Sequence, residues 1–170
     1  KNIKIKSKNK IRLVKGSHII TKKLYKQDVA FTFQNTDKRI IFVIPYKKHF
    51  SLIGTTEVEV KSPENNGISN LEIQYLIKSV NNYLKKQISK KDIVDTYSGI
   101  RPLIEDFKEA SKVTRDYVFD LHIVKKLPLL NIYGGKLTTY RKLSEKVLLD
   151  LKKFLPKTKK GPWTDKKRLF

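Results

Sequence analysis

The 170 residues include no cysteine and no methionine. Without cysteine the chain can build neither a disulfide framework nor a thiolate metal site, which fits a reducing compartment. No run of about 18 apolar residues occurs, so no segment reads as a spanning helix. The basic opening KNIKIKSKNK lacks the apolar core of a signal peptide. Position 1 is lysine, as expected of a processed chain or of a piece of a longer one. Arginine is also scarce, with six residues at 12, 39, 101, 115, 141 and 168. A chain that uses lysine by default and keeps a few arginines points to places that need a planar fork for a carboxylate or a phosphate. Arg101 and Arg115 are therefore candidates for anion binding, with structural ion pairs as the alternative.

What is present in excess is lysine, and the formal net charge is +22. Such a charge fits a nucleic-acid or anionic-membrane surface. It fits better a biased composition with a solvated surface, because the lysines are spread along the whole chain and isoleucine and asparagine are abundant too. Hydrophobic residues make up 39% of the chain, enough for a core in one domain, or in one large domain plus part of a second.

Hydropathy patterning predicts strands over 11–20 (broken at Gly16), 29–34, 39–46 and 50–59 (bent at Gly54), joined by short turns as an antiparallel meander. The run RIIFVIPY is apolar at both parities, which predicts a central strand buried on both faces. After the loop SPENNG, Ser69 and Glu72 form a capping box for a helix with Leu71, Tyr75, Leu76, Val80, Tyr83 and Leu84 as its apolar stripe. Strands are expected at 92–104, ending at Pro102, and at 112–124 and 128–133. The strongest helix is expected at 137–155, with Leu137, Tyr140, Leu143, Val147, Leu148, Leu151 and Leu155 on one side. The last segment, from LPKTKK on, reads as an irregular basic tail.

The stretch NIYGGKLTTYRKL could be a phosphate loop, a plain turn or a cofactor edge. A phosphate loop requires glycine at position 130 and a hydroxyl after the lysine, whereas Leu130 and Leu137 stand there. What remains is a strand, a Gly-Gly turn and a helix N-terminus. It is either a tight turn or an anion-attracting cradle reinforced by Lys136. His18 lies in an apolar strand, where a structural role and a chemical one are both open; His49 and His122 read as structural. No metal-ligand spacing and no G-x-S-x-G elbow occurs.

Six stretches in order, IRLVKGSHII, DKRIIFVIPY, IGTTEVE, DIVDTYSGIRPLI, KVTRDYVFDL and NIYGGKLTTYRKLSEKVL, together resemble the FAD-dependent glycerol-3-phosphate dehydrogenases of the aerobic respiratory type. The similarity runs from about Ile11 to about Trp163. The resemblance implies an α+β fold: an antiparallel or mixed sheet substrate domain with flanking helices, part of a glutathione-reductase-type FAD-binding two-domain fold. On this reading residues 1–10 are a basic lead and 11–124 the substrate-binding domain. Residues 125–156 are the returning strand-turn-helix of the FAD-binding domain, and 157–170 a basic tail. The resemblance implies oxidation of sn-glycerol 3-phosphate to dihydroxyacetone phosphate, with electrons passing through FAD to a quinone. It makes His18 a base or orienter at the carbinol, Arg101 and Arg115 the phosphate-binding and active-site arginines, and Lys136 the lysine near flavin and substrate. Gly134, Gly135, Lys136, Leu137 and Thr138 would contact the flavin. His18, Arg101, Arg115 and Lys136 are thus expected to converge in one cleft.

The chain has no G-x-G-x-x-G fingerprint. It is therefore expected to be an internal fragment, lacking the N-terminal dinucleotide fingerprint and the C-terminal helical region, and inactive unless the N-terminal half is supplied as a separate polypeptide. The family implies a cytoplasmic protein, peripheral at the cytoplasmic membrane, with no nucleic-acid partner. The competing readings are a basic nucleic-acid or anionic-membrane binding protein and a folded, inactive remnant.

Overall fold

The apolar stretch that begins at Ile11 forms one uninterrupted strand, β1 (Ile11–Lys22), with Gly16 inside it rather than breaking it. The computed structural model describes residues 5, 7, 9–64, 66–105, 116–157, 161 and 163–167, and its contacts divide the chain into two compact units. The larger is Arg12–Arg101; the other is built chiefly from the chain beyond Pro102 together with the residues up to Ile11.

The larger unit is a sheet covered on one side by a helix. Its strands after β1 are β2 (Phe31–Gln34), β3 (Ile40–Tyr46), β4 (Phe50–Gly54), β5 (Val58–Val60) and β6 (Ile93–Ile104). The order is β2-β3-β4-β1-β5, and β6 also pairs with β1. Thus β2-β3-β4 is the expected meander, but β1 joins beside β4 instead of beside β2. Register along β1 passes from His18↔Gly54 to Lys15↔Val58. Two residues of β1, 16 and 17, therefore face three, 55 to 57, which is a one-residue bulge. Strand β6 runs on through Pro102 rather than ending there.

Strand β3 is central in order, yet only one of its faces is covered. Ile41 and Val43 are buried, whereas Ile40, Phe42 and Ile44 are open. The covered face packs on helix α1 (Asn70–Asn81), and Ile19, Ile41, Val43, Ile53, Leu76, Val80 and Ile88 form the core there. Each such side chain contributes about 1.5–3 kcal/mol of hydrophobic stabilisation. The capping box of Ser69 and Glu72 is present. The buried seam of α1, however, is Glu72, Leu76, Ser79 and Val80, while Leu71 is 78% exposed. The helix is rotated from the expected stripe because the Glu72 carboxylate is drawn inward by hydrogen-bond donors. Tyr83 and Leu84 lie beyond the helix; Tyr83 stacks on Phe33 with ring centroids 4.4 Å apart.

The second unit holds a hairpin of β7 (Tyr117–Val124) and β8 (Leu127–Gly134), paired from Tyr117↔Gly134 to Val124↔Leu127. Lys125 and Lys126 turn it with φ of 49° and 70°, the left-handed pair of a type I′ turn. The expected helix over 137–155 is in fact a 3₁₀ turn (Leu137–Thr139), helix α2 (Tyr140–Leu151) and a second 3₁₀ turn (Lys152–Phe154). Leu143, Val147 and Leu151 are half-buried, while Leu137, Tyr140, Leu148 and Leu155 are open. Part of the basic tail is anchored, since the Thr164 hydroxyl donates to Glu145 on α2 at 2.7 Å. In this hairpin His122 Nε2 lies 2.9 Å from Asp120 Oδ1. Among the described residues, no helix is long and apolar enough to cross a membrane.

Candidate functional site

Antiparallel register puts directly opposed residues on the same face of a sheet. Phe42, Gly54 and His18 form one such row, on the open face. Glycine at 54 makes room for the imidazole: a Cβ there would lie 2.1 Å from His18 Cδ2 and 2.6 Å from Cγ. Two residues back along β1, Gly16 makes room in the same way for Arg101 of β6. A Cβ at 16 would lie 2.6 Å from Arg101 Nη2, 2.8 Å from Nη1 and 2.7 Å from Thr55 Oγ1. Arg101 Nη2 is 3.4 Å from the Thr55 hydroxyl. The Tyr97 ring lies 6.0 Å from the His18 ring. An imidazole, a guanidinium, a hydroxyl and a phenol thus meet over a floor of two glycines.

Burial and a neighbouring charge both disfavour the protonated form of this imidazole. Burial lowers the pKa of His18, and the positive charge of Arg101 lowers it further. Its Nδ1 is buried with no hydrogen-bond partner among the described residues. A buried polar atom without a partner is costly, and a water or a polar ligand can supply the missing hydrogen bond. Three further arginines lie among the described residues. Arg12 meets Glu59 at 2.7 Å, Arg141 meets Glu145 at 2.6 Å, and Arg39 lies 3.9 Å from Asp37 and over the Tyr75 ring. Those three fulfil the ion-pair reading, and Arg101 lies near enough to His18 for its charge to act on the imidazole.

The structure therefore brings His18 and Arg101 together within the larger unit. Arg115 lies outside the described residues. Lys136 belongs to the second unit, where it follows β8 with Gly134, Gly135, Leu137 and Thr138. Gly134 and Gly135 have φ of 72° and 101°, which glycine adopts without strain. The chain then enters the 3₁₀ turn and α2, where the Thr139 and Tyr140 N–H groups donate back to the Lys136 and Leu137 carbonyls, so the N–H groups that a helix start leaves for a ligand are those of Leu137 and Thr138. Leu137 is 90% exposed, so this helix start is open. At Gly134 a Cβ would fall 2.7 Å from the Asp116 carbonyl oxygen. Gly134→Ala should therefore cost about 1–2 kcal/mol, read as a lower urea midpoint.

Sequence reading missed Thr55, Tyr97 and the glycine floor. The only local signal was the Gly-Thr-Thr of IGTTEVE, which by itself reads as a bend.

A family model described as FAD dependent oxidoreductase matches residues 2–141. Among curated proteins, the aerobic glycerol-3-phosphate dehydrogenase of Escherichia coli (strain K12) is 52% identical over 141 residues, covering 81% of this chain and 28% of that protein. The D-erythritol 1-phosphate dehydrogenase of Brucella abortus (strain 2308) is 45% identical over 160 residues, covering 93% and 32%. Among solved structures, the glycerol-3-phosphate dehydrogenase from Bacillus halodurans complexed with FAD shares the fold at a TM-score of 0.71 and 23% identity, over 91% of this chain and 29% of that one. The chain spans less than a third of the length of each of these relatives.

Proposed function

This chain belongs to the family of FAD-dependent oxidoreductases, and on that premise we propose that it carries the substrate site of an enzyme oxidising sn-glycerol 3-phosphate to dihydroxyacetone phosphate, with FAD as hydride acceptor and a quinone downstream. The observation that carries the reading is the pairing of a histidine with an arginine over the Gly16–Gly54 floor. A polyol monophosphate needs both of these: a cationic fork for the phosphate and a proton acceptor for the hydroxyl.

In this reading Arg101 grips the phosphate, and Arg115, by its place in TRDY, adds a second cation. His18 takes the proton of the carbinol hydroxyl on its imidazole as the carbon becomes a carbonyl. Its lowered pKa supports that role, because the neutral ring is the form that accepts a proton near pH 7. The open helix start after Gly135 suits a flavin, offering backbone N–H groups and the Lys136 ammonium to an electron-rich edge. Gly134, Gly135, Lys136, Leu137 and Thr138 would hold it. When bound, FAD supplies the two-electron sink for the hydride leaving the carbinol carbon. The dinucleotide fingerprint is supplied from outside these 170 residues, and the assembled protein works at the cytoplasmic face of the membrane, where a quinone is within reach.

The match to a D-erythritol 1-phosphate dehydrogenase supports a second substrate, a longer polyol with the same terminal phosphate. Calorimetric titration separates the two. The tighter ligand is expected to be sn-glycerol 3-phosphate. Arg101→Lys, which keeps the charge but loses the fork, should weaken binding by roughly 10-fold or more, about 1.5–3 kcal/mol. Tighter binding of D-erythritol 1-phosphate would reassign the substrate. Unchanged affinity in Arg101→Lys would overturn the site.

A further inference from the structure

The face of the sheet opposite the site holds a buried polar cluster centred on Glu72. Its Oε1 accepts from Ser17 Oγ at 2.7 Å and from Thr56 Oγ1 at 2.8 Å. Its Oε2 meets Lys15 Nζ at 2.8 Å, Ser69 N at 2.9 Å and Ser69 Oγ at 2.8 Å. Ser98 of β6 donates to Ser17 Oγ at 2.9 Å. A capping box needs only the contacts with Ser69. The arms to Ser17 and Thr56 do something else, because of where those residues stand in the chain. Ser17 lies between Gly16 and His18, and Thr56 follows Thr55 in the bulge. At the bulge, the Ser17 N–H donates to the Thr56 hydroxyl at 3.0 Å, and Thr56 N–H donates to Ser17 O at 3.2 Å. The side chain of Thr56 thus serves as an acceptor where the ladder is interrupted.

We propose that Glu72 is a positioning residue for the site on the opposite face: through Ser17 and Thr56 it fixes the bulge that sets Thr55 beside Arg101 and Gly54 beneath His18. The identity of the ligand rests on the function proposed above; the coupling between the two faces does not.

Two substitutions in the same cluster separate positioning from simple support. Ser69→Ala removes the cap arm alone. Thr56→Val removes the bulge arm with little change of shape. The readout is the ring carbon resonance of His18 in the 170-residue chain, labelled at histidine and assigned with His18→Gln. Thr56→Val should shift that resonance and weaken sn-glycerol 3-phosphate binding roughly fivefold or more, while Thr56→Ser, which keeps the hydroxyl, restores both. Ser69→Ala should lower the urea midpoint, leave the resonance in place and change affinity by under about twofold. A His18 resonance unmoved in Thr56→Val, or moved as far in Ser69→Ala, would overturn the proposal. Should Thr56→Val fail to fold, Ser17→Ala carries the same test through the other arm. Absence of ligand binding by the unmodified chain counts against the functional reading alone, because the resonance still reports the coupling.

Discussion

Glu72→Ala is expected to lower the stability of the protein by about 3–5 kcal/mol, the cost of removing one partner from a buried ion pair. Lys15 would keep only the Gly67 carbonyl, at 2.9 Å, and Ser17, Thr56 and Ser69 would each lose an acceptor. Urea unfolding followed by circular dichroism reads the loss. Lys15→Met should cost less, since the carboxylate keeps its four other donors. The same group predicts an acid transition. Burial opposes ionisation of Glu72, but hydrogen bonds from Lys15, Ser69, Ser17 and Thr56 outweigh it and hold the carboxyl at about 2, against an ordinary 4.5. A carboxylate with a depressed pKa stabilises the fold above its unfolded pKa, and that contribution fades as pH falls through the folded one. The stability gap between the native chain and Glu72→Gln should therefore be widest above pH 4.5 and close towards pH 2. A gap independent of pH across that range would show that the carboxylate is not the group at work.

Gly54→Ala should reduce affinity for sn-glycerol 3-phosphate by roughly a hundredfold, the scale of loss from misplacing a binding group by about 1 Å. The new methyl would sit on the site face, away from Ile19 and Ile53 in the core. It would meet His18 at Cδ2, Cγ and Nε2, between 2.1 and 2.7 Å. Contacts that close reach the root of the imidazole, so the ring has to rotate off its seat. Gly16→Ala is expected to be milder, because its methyl meets the ends of flexible side chains, Arg101 and Thr55. Calorimetry on the two variants checks the order. Equal affinities in Gly54→Ala and the unmodified chain would mean that the His18 seat is not part of the site.

Local pattern was enough for much of the fold. Ser69 and Glu72 announced the start of α1, whereas the single strand expected over 50–59 with a bend at Gly54 is two strands, β4 ending at Gly54 and β5 beginning at Val58. Alternation failed for β3, because Ile40, Phe42 and Ile44 are as apolar as the buried Ile41 and Val43, and hydropathy cannot tell an open apolar face from a covered one. The stripe of α1 was misread by one position because a glutamate is counted as polar wherever it points; only the donors on β1 and the bulge draw it inward. The place of β1 in the sheet was invisible, since register arises from pairing across long loops. The site shows the same division. The resemblance named His18 and Arg101 together, but their adjacency depends on β1 and β6 pairing across more than seventy residues. The two floor glycines have no chemistry of their own to mark them, and only the register reveals what they make room for.

The central claim is that the His18–Arg101 face receives a polyol phosphate. Its most direct test is a titration of the histidine-labelled chain with sn-glycerol 3-phosphate, followed by nuclear magnetic resonance. The account predicts a saturable shift of the His18 ring signal that glycerol does not produce and that Arg101→Lys weakens, with His49 and His122 unmoved. Saturable binding that leaves His18 in place would put the ligand elsewhere and contradict the account.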